Sequence, residues 1–303
     1  MERENKNILI KKAAEEYLNT PELERSLTKL GNKYNIKRQD ISKYLYSIGH
    51  EVVNYQNRLR CDETIFDVIN TEEKAYWLGF IFADGNISST GYKFEINLSG
   101  EDYDHLEKLR KFFKYEHKVR IAKQSPKAKG EMVSRLSFRN KRIWNNLYKL
   151  GCIPNKTLVA KFPEIDNNLI RHMIRGYCDG DGSLGVYIKK DKTHSCQLCF
   201  TSGSKDLLDY IYKFLGLNGY FRKRLGKSGN YTHWLNYRGL NARMAARILY
   251  ENSNIYLDRK FNIFKKFCLL EQECSQMKSS KIGEGWNANT EVITDIAKGS
   301  VTP

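Results

Sequence analysis

The stretch Ile174-Arg-Gly-Tyr-Cys-Asp-Gly-Asp-Gly182 decides the fold, and a strand pattern, Ser183-Leu-Gly-Val186, follows it directly. The stretch predicts the last turns of a helix that ends in a glycine turn. Gly176 and Gly180 lie four residues apart, so they share one helix face and leave it bare, which lets a second backbone approach closely. Asp181 lies at the helix end, where unpaired carbonyl groups carry the negative end of the helix dipole. An acid in that place is poorly matched to the helix unless a cation joins it.

A second stretch of the same kind lies upstream, Trp77-Leu-Gly-Phe-Ile-Phe-Ala-Asp-Gly85. It has the small residues Gly79 and Ala83 at the same spacing. Asp84 stands in the position of Asp181, 97 residues earlier. A single acid of this kind is equally well explained as part of a helix-terminating turn. Two copies at domain spacing indicate a duplicated unit.

The segments downstream of the two stretches repeat as well. The helical pattern Asp104–Phe113 matches Asp206–Leu215, and two strand patterns and a further helix follow in both halves. The sequence therefore predicts an α+β fold built as a pseudo-twofold tandem repeat of one α-β-β-α-β-β-α unit, an internal pseudo-dimer that we expect to be a monomer. A tail without a convincing pattern from about Ser275 should be loosely ordered. The expected segments are a helical N-terminal region, two repeats and this tail, at residues 1–70, 71–165, 166–272 and 273–303.

The charge balance indicates a polyanionic partner. The 303 residues include 51 Lys and Arg against 35 Asp and Glu, a net charge of +16, and 12% are aromatic. This excess favours nucleic acid over a membrane surface. The sequence has no apolar run of transmembrane length and no signal-peptide core at its start, so we expect a cytoplasmic protein. The odd, scattered set of seven cysteines suits a reducing compartment. Cys196 and Cys199 have ligand-like spacing, but no second pair stands near them and zinc is not expected.

The N-terminal region predicts a small all-α domain of the helix-turn-helix type. Two short amphipathic helices within about residues 26–49 are separated by a turn at Asn35-Ile36. The second helix should bury its apolar positions, Ile41, Leu45 and Ile48. It would present its polar positions to a DNA major groove: Lys37, Arg38, Gln39, Ser42 and Lys43. The alternative is an ordinary helical hairpin with solvated charges. Residues 54–70 are expected to form a linker.

The predicted strands should bury one face and offer a basic one. In the strand 117–122, Lys118 and Arg120 share a face opposite Val119 and Ile121. The same alternation places further arginines where we expect contacts with DNA: Arg135, Arg139, Arg222, Arg224 and Arg238.

The repetition and the small-residue faces together predict a shared site. If a pseudo-twofold axis relates the halves, helices 72–84 and 168–181 can pack on each other at that axis, and Asp84 and Asp181 then lie side by side. Two adjacent carboxylates raise each other's pKa unless a divalent metal neutralises them. Hard oxygen ligands suit Mg²⁺, with Mn²⁺ as a substitute, and such ions activate water and stabilise the leaving oxygen of a scissile phosphate. Asp179 is a weaker candidate, either a surface group or one that supports the ligands.

Together these features resemble the LAGLIDADG homing endonucleases, in the single-chain form that carries both copies of the motif. The resemblance covers about residues 71–270. It implies that family's fold and metal-dependent double-strand cleavage of a long, asymmetric DNA site. It also implies that Asp84 and Asp181 are the metal ligands, with the carbonyl groups of Ala83 and Gly180 as companion ligands.

The resemblance further implies a basic residue near each scissile phosphate. The best matches are Lys156 and Lys260, with Lys161 as the rival in the first half, although a lysine that only positions a phosphate would look the same. The first motif has Phe82 where the family often has an acid. The helix-turn-helix lies outside the core family, and we interpret it as an added DNA anchor.

Three functions remain open at this point. The first is a site-specific endonuclease for double-stranded DNA, favoured because both acids are intact. The second is an intron RNA maturase on the same fold, with intron RNA as the partner. The third is a helix-turn-helix regulator with a nuclease-derived core, in which one acid or both would usually be lost. The ends of the sequence lack the splice-junction residues of an intein, so we expect a free-standing protein.

Overall fold

A computed structural model describes most of the chain, and Cα positions separate it into two compact units, Met1–Cys61 with Tyr115–His117 and Asp62–Lys114 with Lys118–Pro303. The described residues are 2–21, 25–50, 52, 61–123, 132–154, 156–188, 194–227 and 229–279. In this part of the chain, no helix combines the length and the apolar character needed to cross a bilayer.

The described residues of the N-terminal unit form three helices: α1 (Glu2–Asn19), α2 (Leu27–Tyr34) and α3 (Arg38–Ser47). The predicted turn ends α2, because Asn35 adopts a left-handed conformation at φ 51°. Ile41 and Leu45 are fully buried in the core of this unit, as expected. The prediction for Ile48 is wrong, since its side chain is 49% exposed. Ile48 caps the C-terminus of α3, where the helical periodicity that carried the prediction has stopped.

The larger unit contains the two predicted repeats. The first comprises α4 (Glu72–Asp84), β1 (Gly85–Ile87), β2 (Lys93–Ser99), α5 (Tyr103–Phe112), β3 (Arg120–Lys123), β4 (Met132–Arg139) and α6 (Lys141–Lys149). The second comprises α7 (Asn167–Asp181), β5 (Gly182–Ile188), β6 (His194–Ser202), α8 (Lys205–Leu215), β7 (Tyr220–Leu225), β8 (Tyr231–Arg238) and α9 (Gly239–Tyr250). The element order confirms the α+β class and the repeated α-β-β-α-β-β-α unit.

Each repeat folds its strands into one antiparallel four-stranded sheet, in the orders β1-β2-β4-β3 and β5-β6-β8-β7. Alternation holds on the central strands, where Leu136 and Phe138 are buried between outward-facing neighbours. It fails on the outer strand β3, whose four residues are all exposed. Val119 is buried as predicted, but Ile121 is 55% exposed. The reason is that, among the described residues, β3 is an outer strand that pairs with β4 alone, while α5 packs against the central strands β2 and β4.

Two segments differ from their predicted character. Part of the expected linker belongs to the core, because Ile65, Phe66 and Ile69 are buried; residues 54–60 lie outside the described part. At the other end, helix α10 (Asp258–Ser279) was not predicted and extends into the segment expected to be loosely ordered. The remainder of that tail lies outside the described residues.

Candidate functional site

Helices α4 and α7 pack on each other along the predicted small-residue faces. A Cβ atom added to Gly79 would lie 1.9 Å from the carbonyl oxygen of Met173, and one added to Gly176 would lie 1.9 Å from that of Tyr76. The obstructing atoms belong to the backbone and cannot turn aside, so only glycine fits at these two positions. The close approach of the two halves therefore follows from two glycines on facing helices.

This packing brings the ends of the two helices together. Asp84 is the last residue of α4 and Asp181 is the last residue of α7. A Cβ atom on Gly180 would lie 3.1 Å from Oδ2 of Asp84, so the Asp84 carboxylate lies against the end of the opposite helix. Both acids contact solvent. The structure thus places the two predicted acids in one site formed by both repeats.

The surroundings of the two carboxylates oppose their ionisation. Desolvation by the adjacent protein raises the pKa of Asp84 to about 6, with a further contribution from the negative charge of Asp181. Desolvation also raises the pKa of Asp181, against the opposing effect of Lys156 and Lys260. Two carboxylates in this state would gain from a divalent cation placed between them.

The raised pKa of Asp84 predicts a pH-dependent gain in stability for Asp84→Asn. The carboxyl has an ordinary pKa of 3.8 and one of about 6 in the folded chain. Between these values the unfolded chain releases its proton first, so the native protein loses stability as the pH rises. In metal-free buffer we expect Asp84→Asn to melt about 1–3 °C higher than the native chain at pH 7.5, a modest gain because the group is solvent-screened. Melting curves at pH 4 should coincide; a gain that persists there would contradict the assignment.

The side chains near Asp84 and Asp181 limit which ligands a bound metal ion could have. Among the described residues, no three His, Cys, Asp or Glu side chains come close enough to form a complete metal site. Asp84 and Asp181 would supply the charge, and backbone carbonyls and water would complete the coordination. Carboxylate and carbonyl oxygens are ligands that hard divalent cations accept. The donor set therefore fits a divalent cation.

The two predicted lysines occupy equivalent places in the two halves. Lys156 donates a hydrogen bond to the carbonyl oxygen of Gly85, directly after Asp84. Lys260 donates to the carbonyl oxygen of Gly182, directly after Asp181, at 2.6 Å. The rival Lys161 is exposed on the loop between the repeats. Both Lys156 and Lys260 act electrostatically on both carboxylates, so the structure gathers the predicted acids and lysines into one cluster.

Asp179 is buried at 1% exposure, which excludes the first of its two predicted interpretations, a surface group. It accepts hydrogen bonds from the Tyr76 hydroxyl at 2.7 Å, the Tyr250 hydroxyl at 2.6 Å and the Leu257 backbone N–H at 2.7 Å. Burial raises the pKa of Asp179, while Lys260 and these donors favour the ionised form. One carboxylate thus joins α4, α7, α9 and the segment before α10. The signal in the sequence that could have indicated this role is an acidic residue within an otherwise apolar helix segment.

Removing this carboxylate should destabilise the fold. We expect Asp179→Ala to lower the free energy of unfolding by about 3 kcal/mol, because three buried donors lose their acceptor. Tyr250→Phe, which removes one donor and leaves the carboxylate, should lower it by about 1 kcal/mol. Urea unfolding followed by circular dichroism measures both changes. A loss below 1 kcal/mol for Asp179→Ala would show that Asp179 is not a structural centre.

The basic side chains predicted to contact DNA share the solvent-facing sides of the two sheets. In the first sheet Arg135 stands opposite Arg120 on β3 and Asn97 on β2, and its Nε donates to Asn97 at 2.7 Å. Arg139, on the same face, donates to the carbonyl oxygen of Gly91 at 3.1 Å. Lys118 is exposed just before β3 begins. These contacts leave a basic face with polar side chains between the charges.

The second sheet offers a similar face. Arg222 and Arg238 both lie over the ring of Tyr220, each 5.3 Å from its centroid. Arg224 lies two residues after Arg222 on β7 and so shares its face. Gln197 stands directly opposite Arg238. Gln197 and Asn97 were not singled out in the sequence, although outward-facing amides on a basic sheet are suited to reading base edges. The register of the strands places Asn97 opposite Arg135 and Gln197 opposite Arg238, and the sequence alone does not give this register.

Helix α3 of the N-terminal unit carries the polar residues that were predicted to contact a DNA major groove. Lys37, Arg38, Gln39 and Lys43 are exposed, and Ser42 is half-buried. Asp40 on the same helix forms an ion pair with Lys6 at 2.9 Å. The exposed face of α3 is therefore basic and polar.

Comparisons with known proteins show the following similarities. No protein-family model matches the chain, and no curated protein sequence matches it. Among solved structures, meganuclease I-SmaMI bound to uncleaveable DNA aligns with a TM-score of 0.45 at 15% identity, over 64% of this chain and 88% of that one. LAGLIDADG meganuclease I-AabMI bound to uncleaved DNA aligns with a TM-score of 0.47 at 12% identity, over 74% and 97%. I-SmaMI bound to uncleaved DNA in the presence of calcium ions aligns with a TM-score of 0.44 at 15% identity, over 77% and 99%.

Proposed function

We propose that this chain is a metal-dependent, site-specific endonuclease for double-stranded DNA, of the LAGLIDADG homing type. The observation that carries the proposal is the pair of helix-end acids, Asp84 and Asp181, brought together by glycine-mediated packing. Two lysines flank this pair, and a basic sheet face belongs to each repeat. A regulator without catalysis would not need two acids whose pKa values are raised by their surroundings.

The proposed mechanism assigns a task to each group of residues. Asp84 and Asp181 would hold Mg²⁺ or Mn²⁺, with the Ala83 and Gly180 carbonyl groups nearby, and a bound ion supplies an activated water and stabilises the leaving oxygen. The basic faces of the two sheets fix the duplex by its phosphates. A monomer with two unlike halves then suits an asymmetric target. The charges of Lys156 and Lys260 favour the approach of an anionic phosphodiester to the acids.

The test starts from a pool of random DNA duplexes, because the target sequence is unknown. Duplexes that the purified protein retains in EDTA are amplified over several rounds and sequenced. The selected duplex is then incubated with protein and Mg²⁺, and both labelled strands are followed. We expect cleavage of both strands at fixed positions. Retention of a duplex without any cutting, in Mg²⁺ and in Mn²⁺, would contradict the endonuclease.

The same preparation tests the two alternatives. A maturase would bind its intron RNA and promote splicing without cutting DNA, and a regulator would bind one duplex without a metal requirement. We also propose that the protein works as a monomer in the cytoplasm, with no membrane partner. Sedimentation of the complex with the selected duplex checks the first of these statements.

The arginines of β7 should contribute to binding through phosphates. We expect Arg222→Ala/Arg224→Ala to lower the affinity for the selected duplex about tenfold or more, and to reduce the slope of log Kd against log salt by about 2. Fluorescence anisotropy between 50 and about 300 mM salt covers the useful range. The matched control is Lys111→Ala/Lys213→Ala, exposed lysines at equivalent places on α5 and α8. An unchanged slope in the arginine variant would remove β7 from the interface.

A further inference from the structure

Lys156 and Lys260 occupy equivalent positions, but their surroundings differ. The Nζ of Lys260 lies 2.7 Å from the carbonyl oxygens of Cys178 and Asp179, 2.6 Å from that of Gly182 and 3.3 Å from that of Gly180. An ammonium group has three protons to donate. The acceptors around Lys260 therefore already exceed its donors.

Lys156 retains donors for a further partner. In the described part of the chain, the carbonyl oxygen of Gly85 is its one hydrogen-bond acceptor. Its side chain is half-buried, whereas Lys260 is only 3% exposed. Two of the three protons of Lys156 remain available for a phosphate oxygen or a water molecule.

The backbones that carry the two lysines also differ. Lys260 lies in the first turn of α10, a 22-residue helix, and its neighbour Arg259 holds Asp102 through contacts of 3.0–3.2 Å. Lys156 begins a three-residue 3₁₀ turn that ends at Leu158, and the side chains of Leu158 and Val159 are exposed. The backbone of Lys260 is therefore part of a long helix with an ion pair beside it, whereas the backbone of Lys156 belongs to a short turn.

Three of the four carbonyl groups that Lys260 contacts, those of Cys178, Asp179 and Gly180, lie in the last turn of α7, and the fourth belongs to Gly182, directly after the helix. The Cys178 carbonyl also accepts from the Gly182 N–H. The last carbonyl groups of a helix carry the negative end of its dipole, so a buried cation among them stabilises the helix terminus. The residue at this terminus is Asp181. Lys260 thus sets the position of the Asp181 carboxylate through the backbone.

We propose that the two lysines have different tasks. Lys260 is a positioning residue that caps α7 and fixes the position of Asp181. Lys156 is the one of the two that is free to contact the scissile phosphate or the water molecule that attacks it. This inference deepens the proposed endonuclease function and rests on it for the role of Lys156. The two halves then process their DNA strands unequally, since only one lysine can reach a reacting group.

The experiment compares Lys156→Met with Lys260→Met, with Lys161→Met as the matched control on the same loop as Lys156. In metal-free buffer we expect Lys260→Met to lower Tm by about 5–10 °C, because a buried charge-assisted cap is lost. Lys156→Met and Lys161→Met should stay within about 1 °C of the native chain. This comparison needs no DNA, so it decides the role of Lys260 even if the endonuclease proposal fails.

Conservative replacement separates positioning from general packing. Lys260→Arg keeps the charge and the donors, so we expect it to recover at least half of the lost Tm. If Asp84 and Asp181 bind a divalent cation, Mn²⁺ should raise the Tm of the native chain. Lys260→Arg should keep this rise and Lys260→Met should lose it. If Lys260→Met is too unstable to purify, Lys260→Arg set against Lys156→Met still tests the difference. Equal stabilities for Lys156→Met and Lys260→Met, or a recovered Tm without the Mn²⁺-induced rise, would overturn the positioning role.

Strand-specific cleavage tests the other half of the proposal. With each strand of the selected duplex labelled, Lys156→Met should cut one strand at the native rate and slow the other by about a hundredfold, leaving nicked DNA. Equal slowing of both strands by Lys156→Met would refute the unequal division. Absence of cutting by the native chain would count against the proposed function instead.

Discussion

The Asp181→Asn variant should lose DNA cleavage by about a thousandfold or more while it still binds the selected duplex. Asparagine keeps the shape of the side chain but removes the charge that would hold a divalent cation, and metal-ion stabilisation of a phosphodiester transition state amounts to several kcal/mol. Asp84→Asn should behave in the same way, because the two carboxylates form one site. Single-turnover cleavage in Mg²⁺ gives the rate, and anisotropy in EDTA gives the affinity.

A matched control separates this effect from a general loss of negative charge. Asp206→Asn makes the same substitution at an exposed position in the first turn of α8, and it should change the rate by less than twofold. Affinity for DNA in the two site variants should be equal to that of the native chain or higher, because each removes a negative charge near the phosphates. Cleavage at a near-native rate by both site variants would show that the acids do not bind the catalytic metal.

The Gly176→Ala variant should fail to fold, or lose about 4 kcal/mol or more of its free energy of unfolding. The new methyl group would lie 1.9 Å from the Tyr76 carbonyl oxygen, so α4 and α7 would have to move apart. Overpacking against a backbone atom lies at the severe end of single substitutions. Thermal and urea unfolding of the purified chain, followed by circular dichroism, measure the effect.

Another glycine provides the comparison. A Cβ atom on Gly216 meets nothing within 4 Å, but its φ of +61° at the end of α8 favours glycine. Gly216→Ala should therefore lose only about 1 kcal/mol, from backbone conformation alone. Equal stabilities for Gly176→Ala and Gly216→Ala would show that the stability of the fold does not depend on close packing of α4 and α7 at Gly176.

Features with a local or repeated signal were the ones that the sequence predicted well. Small residues at helical spacing, followed by an acid, marked α4 and α7, and the 97-residue offset indicated the duplication and the shared site. The alternation of apolar and polar residues predicted both ends of the central strand β4 correctly. It holds there because β4 pairs with a strand on each side and packs one face against α5. Each of these depends on periodicity within one element.

Features that depend on packing between distant elements could not be predicted in the same way. The contacts of Lys260 with the α7 carbonyls join residues about 80 apart in sequence, and the motif match alone presented this residue as a twin of Lys156. The exposure of Ile121 reflects which strand lies at the edge of the sheet, and that of Ile48 reflects where a helix stops. The periodicity of the sequence does not predict the Lys260 contacts or the exposure of Ile121 and Ile48.

The Asp179 contacts also bear on how such a chain could be recombined. Asp179 in the second repeat binds the Tyr76 hydroxyl of the first, whereas Phe82 stands at the corresponding place in the first repeat. Two copies of the first repeat would leave Tyr76 without its carboxylate acceptor, with only the ring of His105 beside its hydroxyl. Two copies of the second would have Met173 at the place of Tyr76. The duplicated halves have become non-interchangeable parts. A chimaera that borrows one half from another protein would need to carry the tyrosine and the aspartate together.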